Sequence, residues 1–113
     1  MDNTEVVNNT SKYIVKTTGI GSETNEILVD AEKLAEGTDG SKVSLIECYY
    51  LIEGTGTLTI SADAEHPNKL NLTGKGKYGL RPNQLKYGND KIIKLTTDSN
   101  VKSYLLVTEF RRN

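Results

Sequence analysis

The segment from Val43 to Glu53, Val-Ser-Leu-Ile-Glu-Cys-Tyr-Tyr-Leu-Ile-Glu, constrains the fold more than any other stretch of this chain. In an extended strand successive side chains point to opposite sides, so Ile46, Cys48, Tyr50 and Ile52 share one face and Leu45, Tyr49 and Leu51 the other. A strand apolar on both faces belongs in the middle of a sheet. Gly54-Thr55-Gly56 reads as a tight turn, and Thr57 to Ala62 alternates cleanly with Leu58, Ile60 and Ala62 inward. The pattern predicts a hairpin of 43–53 with 57–62.

The rest of the chain repeats this strand-and-turn rhythm. Lys12 to Thr18 is a strand ended by Gly19-Ile20-Gly21-Ser22, and Glu26 to Asp30 is a second. Ala31 to Glu36 makes one helical turn, with Asp30 as its cap, Leu34 inward and Gly37 as its stop. Asp63 to Asn68 is a loop pinned by Pro67, and Lys69 to Thr73 alternates with Leu70 and Leu72 inward. Gly74 to Gly79 continues as a bulged strand, and 80–89 is irregular. Lys91 to Thr97, a turn at Asp98-Ser99-Asn100, and Val101 to Phe110 close the chain. Seven to eight short strands at hairpin spacing predict an all-β fold, an antiparallel β-sandwich or a jelly-roll-like barrel. Residues 1–11 are polar and Asn/Thr-rich apart from Val6 and Val7, and read as a flexible N-terminal arm; 12–113 then form a single β-sandwich domain. The bland alternative is that Glu5 to Asn9 adds an edge strand to the domain's own sheet.

With 113 residues and 35% hydrophobic residues, the chain supports one compact core. It has one cysteine, Cys48, hence no internal disulfide; its N-terminal residues lack the pattern of a signal peptide, and no apolar run approaches a membrane span. These features predict synthesis in a reducing cytoplasm and no membrane partner. The net charge of −1 gives no reason to expect nucleic acid. Its distribution is uneven: residues 1–68 carry 12 acidic and 4 basic side chains, whereas 69–94 carry seven basic residues against Asp90 alone. Lys75, Lys77 and Arg81 are the candidate partner contacts within that basic segment.

Catalytic chemistry finds little to work with. His66 is the single histidine and lies in a polar loop without a positioned partner nearby in sequence. Cys48 sits on the most apolar strand, where burial raises a thiol pKa. Gly54-Thr55-Gly56 and Gly74-Lys75-Gly76 precede strand-like rather than helical sequence, so they read as turns and not as phosphate cradles. Cys and His are too few for zinc, and Asp63, Glu65 and Asn68 match no EF-hand spacing. No enzyme, metal or cofactor is therefore expected. Lys75, Lys77, Tyr78, Arg81, Lys86 and Tyr87 loosely fit a single-strand binder, and Tyr13, Tyr49, Tyr78 and Tyr87 are the candidate carbohydrate platforms.

The order of elements adds a resemblance. Leu28-Val29-Asp30-Ala31-Glu32-Lys33-Leu34 is followed by Val43 to Tyr50, a glycine turn at Gly54, Leu58-Thr59-Ile60 with Ala62-Asp63-Ala64, then Leu70, Leu72, Gly74 and Gly76, and finally Ile92 and Leu95-Thr96-Thr97 before a closing apolar strand. Over about residues 26–110 this resembles small β-sandwich structural proteins encoded by tailed bacteriophages, especially marine ones. The resemblance implies a virion component: a capsid decoration, or cement, protein on the outside of the head, bound to the major capsid protein and repeated around local symmetry axes, for example as a trimer. It further implies that Val6 and Val7 engage the capsid from the arm, and that Arg111 and Arg112 offer a basic end to an acidic shell. A tail or fibre adaptor is the nearest alternative within virions, and a small carbohydrate- or single-strand-binding module the alternative outside them.

Overall fold

The computed structural model describes residues 1–34, 36–38, 40–61, 69–79 and 90–112. Among them are nine strands: β1 (Asp2–Asn8), β2 (Lys12–Ile20), β3 (Glu23–Asp30), β4 (Val43–Gly54), β5 (Leu58–Ser61), β6 (Lys69–Leu72), β7 (Lys75–Gly79), β8 (Ile92–Thr97) and β9 (Val101–Arg112). They form two antiparallel sheets, one of five strands in the order β1-β2-β9-β4-β7 and one of four in the order β3-β8-β5-β6. Leaving β1 aside, β2 to β9 divide equally between the sheets, and only β5 and β6 are both consecutive and paired. This is a jelly roll, a double sheet in which most strands pair with partners distant in sequence. The all-β expectation holds, with one strand more than the larger number expected.

The core fills the space between the sheets. Tyr13, Val15, Val43, Leu45, Cys48, Ile52, Leu106 and Phe110 face Leu28, Leu58, Ile60, Leu72, Ile93 and Leu95 from the opposite sheet, all of them buried. Tyr13 and Phe110 stack with ring centroids 6.2 Å apart. The 3-10 turn Ala31–Lys33 is capped as expected: Asp30 accepts from the Glu32 amide at 3.2 Å, Leu34 packs on the core, and the Gly37 amide donates to the Leu34 carbonyl at 2.8 Å.

Three sequence expectations are corrected. The first concerns the hairpin. β4 does lie inside a sheet, between β9 and β7, but it does not pair with β5, which belongs to the other sheet. The type I′ hairpin turn needs φ > 0 at both central positions. Here only Gly54 has positive φ, at 102°, and the chain crosses to the opposite sheet instead. The crossing is pinned by Asp98, whose Oδ2 accepts from the Thr57 amide at 3.0 Å and whose own amide donates to the Thr57 carbonyl at 3.2 Å. A Cβ on Gly54 would sit 2.3 Å from the Asn100 carbonyl oxygen, so no other residue fits there without displacing the β8–β9 turn.

The second correction concerns the faces of β4. Leu45 pairs with Phe110 and Glu47 with Glu109, leaving Ile46 as a bulge without a partner of its own. One extra residue reverses the alternation. Val43 and Leu45 therefore point inward before the bulge, and Cys48 and Ile52 after it, all at most 4% exposed. Tyr49 and Leu51 remain on the outer face.

The third concerns residues 1–11. They are not a free arm: Asp2–Asn8 is the edge strand β1, paired with β2 from Asp2↔Thr18 to Asn8↔Tyr13, as the edge-strand alternative has it. Backbone pairing carries this strand, since none of its side chains is buried. The Thr17 hydroxyl donates to Asn3 Oδ1 at 2.7 Å. Asn9 Oδ1 accepts from the Ser11 and Lys12 amides at 3.0 and 2.9 Å and holds the β1–β2 turn. β2 itself runs through Gly19, where Tyr104 of β9 lies against the missing side chain.

Candidate interaction face

The inside of the jelly roll offers no ligand chemistry among the described residues. Its lining is apolar apart from Thr17, Thr97, Thr108, Ser44 and Asp90. No three His, Cys, Asp or Glu side chains group as a metal site there. Cys48 is fully buried, and desolvation pushes its thiol pKa up to about 12, which leaves it neutral and unreactive at physiological pH. A polar cleft of about 140 Å³ is lined by Thr10, Ala31, Glu36, Ser41, Lys42 and Arg112. That is smaller than the roughly 300–1,000 Å³ of ordinary small-molecule sites. No described helix is long and apolar enough to cross a membrane.

The outer surfaces of the two sheets differ sharply. The four-stranded sheet presents a mainly polar ladder: the Asn25 amide donates to Thr96 Oγ1 at 3.0 Å, and Thr59 Oγ1 donates to Asn71 at 2.8 Å. These groups bond to one another, as on an ordinary solvated face.

The five-stranded sheet is apolar at its centre instead. Residues paired in register share a face, so one row across β1, β2, β9, β4 and β7 reads Asp2, Thr18, Leu105, Leu51, Lys75. The adjacent row reads Thr4, Lys16, Val107, Tyr49, Lys77. Tyr49 is 48% exposed, Leu51 43%, and Ile20, farther along β2, 85%. A contiguous apolar patch on a sheet whose inner face already carries the core marks a surface to be covered. Lysines flank it. Lys77 Nζ lies 5.2 Å from the Tyr49 ring centroid and 3.6 Å from Glu47 Oε2. A hydrogen bond to Tyr49 and the Glu47 charge raise the Lys77 pKa, keeping it cationic.

The sequence-derived contact residues divide over this frame. Val7, paired with Ile14, lies on the β1 flank of the face, Lys75 and Lys77 on the β7 flank, and Arg111 on β9 beyond Glu109. Val6 sits at the β1 bulge, 58% exposed on the free edge of the sheet. Arg112 turns back into its own fold, with Nη1 donating to Asn8 Oδ1 at 3.0 Å and to the Asn9 carbonyl at 2.8 Å. It fastens the β1–β2 turn, because these two acceptors meet at the end of β9. Arg81, His66, Lys86, Tyr87 and the Asp63, Glu65, Asn68 loop lie outside the described residues. Of the candidate tyrosine platforms, Tyr13 is buried and Tyr78 packs against the core, which leaves Tyr49 exposed. Leu105 and Val107, at the centre of the face, were not singled out from sequence. Their alternation with buried Tyr104, Leu106 and Thr108 is that of an apolar strand with two apolar faces, the same signal that β4 gives.

No protein-family model matches this chain, and no curated protein matches it. Among solved structures it is similar to a cupin domain from Bordetella pertussis Tohama I, with 12% identity and a TM-score of 0.44 over 99% of this chain and 92% of that one. The jelly-roll assignment rests on this chain's own strand order.

Proposed function

We propose that this chain is a structural virion protein of a tailed phage that decorates and stabilises the outside of the capsid. Its partner in this reading is the major capsid protein, and it uses no catalytic group or cofactor. The observation that supports the reading most is the contrast between inside and outside: the described interior is filled by apolar side chains, while exposed apolar and charged groups lie on outer surfaces. In this reading the protein acts by being covered by other protein. The ordered sequence resemblance supplies the capsid as the setting. The capsid contact falls to the outer edge of β1, an edge strand with no neighbour beyond it among the described strands. Its free backbone groups can accept an extended segment of the shell, with Val6 as an apolar anchor.

The test uses heads stripped of this protein. Val6→Asp and deletion of residues 2–8 are each expected to abolish rebinding to heads, while the remaining fold keeps its far-ultraviolet spectrum. Undiminished rebinding by both variants would contradict the β1 contact. Failure of the unaltered protein to bind heads at all would contradict the function.

A further inference from the structure

The outer face of the five-stranded sheet is complementary to itself, and we propose that it is the interface of a two-fold dimer in which two copies pack these faces together. The argument comes from the cross-strand rows. β9 is the middle strand of the five, and its outward residues Leu105 and Val107 occupy the centre of the patch. A two-fold axis running along β9 lays the β7 edge of one copy over the β1 edge of the other. Leu105 and Val107 then meet their own counterparts, and Leu51 lies over Thr18 of the second copy. The exposed Tyr49 ring meets Lys16, and Lys75 meets Asp2. A two-fold axis perpendicular to the strands would instead set Lys75 and Lys77 against themselves, a like-charge contact that specific interfaces avoid. Charge therefore selects the first arrangement.

The geometry tolerates the twist of real sheets. Facing sheets cross at about 30°, which moves the outermost strands by about 5 Å, within the reach of a lysine side chain. The arrangement contains two like-charge contacts on β9, Glu109 and Arg111 each against its counterpart; they carry opposite charge one row apart, and each Glu109 already has Lys12 at 3.6 Å. Five strands about 4.8 Å apart, over rows about 7 Å apart, give a face of roughly 400 Å² per copy. The pair then buries roughly 800 Å² in total, below the roughly 1,200 Å² where standard interfaces begin, which suits a weak, reversible dimer. The four-stranded sheet, with its mainly polar ladder, offers no comparable surface.

The proposal stands apart from the capsid reading and is tested without capsids, by sedimentation equilibrium of the whole chain. The expected result is a monomer–dimer equilibrium with a Kd on the order of micromolar to tens of micromolar. Leu105→Glu and Leu51→Glu each raise that Kd by at least about tenfold with an unchanged melting curve; Leu51 is the safer variant, being 43% exposed. Asp2→Lys and Lys75→Glu each weaken the dimer by roughly threefold to tenfold, and the double reversal restores it to within about twofold, as a direct charge pair requires. A chain that stays monomeric up to about 1 mM, one that forms trimers, or a double reversal no tighter than its single parents overturns the proposal.

Discussion

Gly19→Ala tests the packing of β2 on β9 with a single methyl group. A Cβ at Gly19 would lie 2.4 Å from Tyr104 Oη and 2.5–2.6 Å from the adjacent ring carbons. The ring has little room to retreat, since Tyr104 is 3% exposed and its hydroxyl donates to Glu23 Oε2 at 2.7 Å. Overpacking of this kind costs about 1–3 kcal/mol. Displacing the ring also weakens a hydrogen bond to a carboxylate, worth about 1.5–3 kcal/mol. Against this, alanine is preferred to glycine in a strand by roughly 0.5–1 kcal/mol. The net expectation is a loss of about 2–4 kcal/mol, read from urea denaturation followed by circular dichroism. Tyr104→Leu removes the ring, so Gly19→Ala made in that background should cost less than about 1 kcal/mol. A loss below about 0.5 kcal/mol in the unaltered background, or additive losses in the double variant, would refute the packing argument.

Three further expectations concern the core. Thr108 Oγ1 is buried without a hydrogen-bond partner, so Thr108→Val, which keeps the shape and removes the orphan hydroxyl, should stabilise the protein by about 1 kcal/mol and raise Tm by a few degrees. Leu45→Ala should cost about 2–5 kcal/mol and Leu51→Ala less than about 1 kcal/mol, because the bulge at Ile46 buries the first and exposes the second; equal losses would contradict the bulge. Stability should fall as pH rises from about 9 toward 12: over that window the unfolded Cys48 thiol ionises while the native thiol, pushed up to about 12, keeps its proton, so the unfolded state binds fewer protons. Burial raises the Tyr13 and Tyr104 pKa values as well, which steepens the same decline, and Cys48→Ala should make it shallower by up to one proton's worth of slope.

Most of the strands were legible because they carry an apolar alternation, clearest in β2, β4, β5, β8 and β9, and the capped turn at Ala31 because Asp30, Leu34 and Gly37 each leave a local signature. Partner choice was not. In a jelly roll nearly every pairing spans a crossing between sheets, and the alternation in β5 is the same whether β4 or β8 lies beside it. The bulge at Ile46 left no mark either, since Ile46 is apolar and fits both phases. β1 reads as a free arm because an edge strand held by its backbone needs no buried side chain. The candidate face was half visible. The apolar outer residues of β4 were noticed but read as a second buried face, whereas Tyr49 and Leu51 are exposed at the centre of a sheet. Arg112 illustrates the converse: a terminal arginine that looks available in sequence is bound to Asn8 and Asn9 in the fold.

Cryo-electron microscopy of the assembled phage particle tests the functional reading most directly. The account predicts density for this jelly roll in many copies over the outer surface of the head, with the β1 edge against the major capsid protein. Density for it at a single vertex or on the tail, or its absence from the particle, would contradict that account.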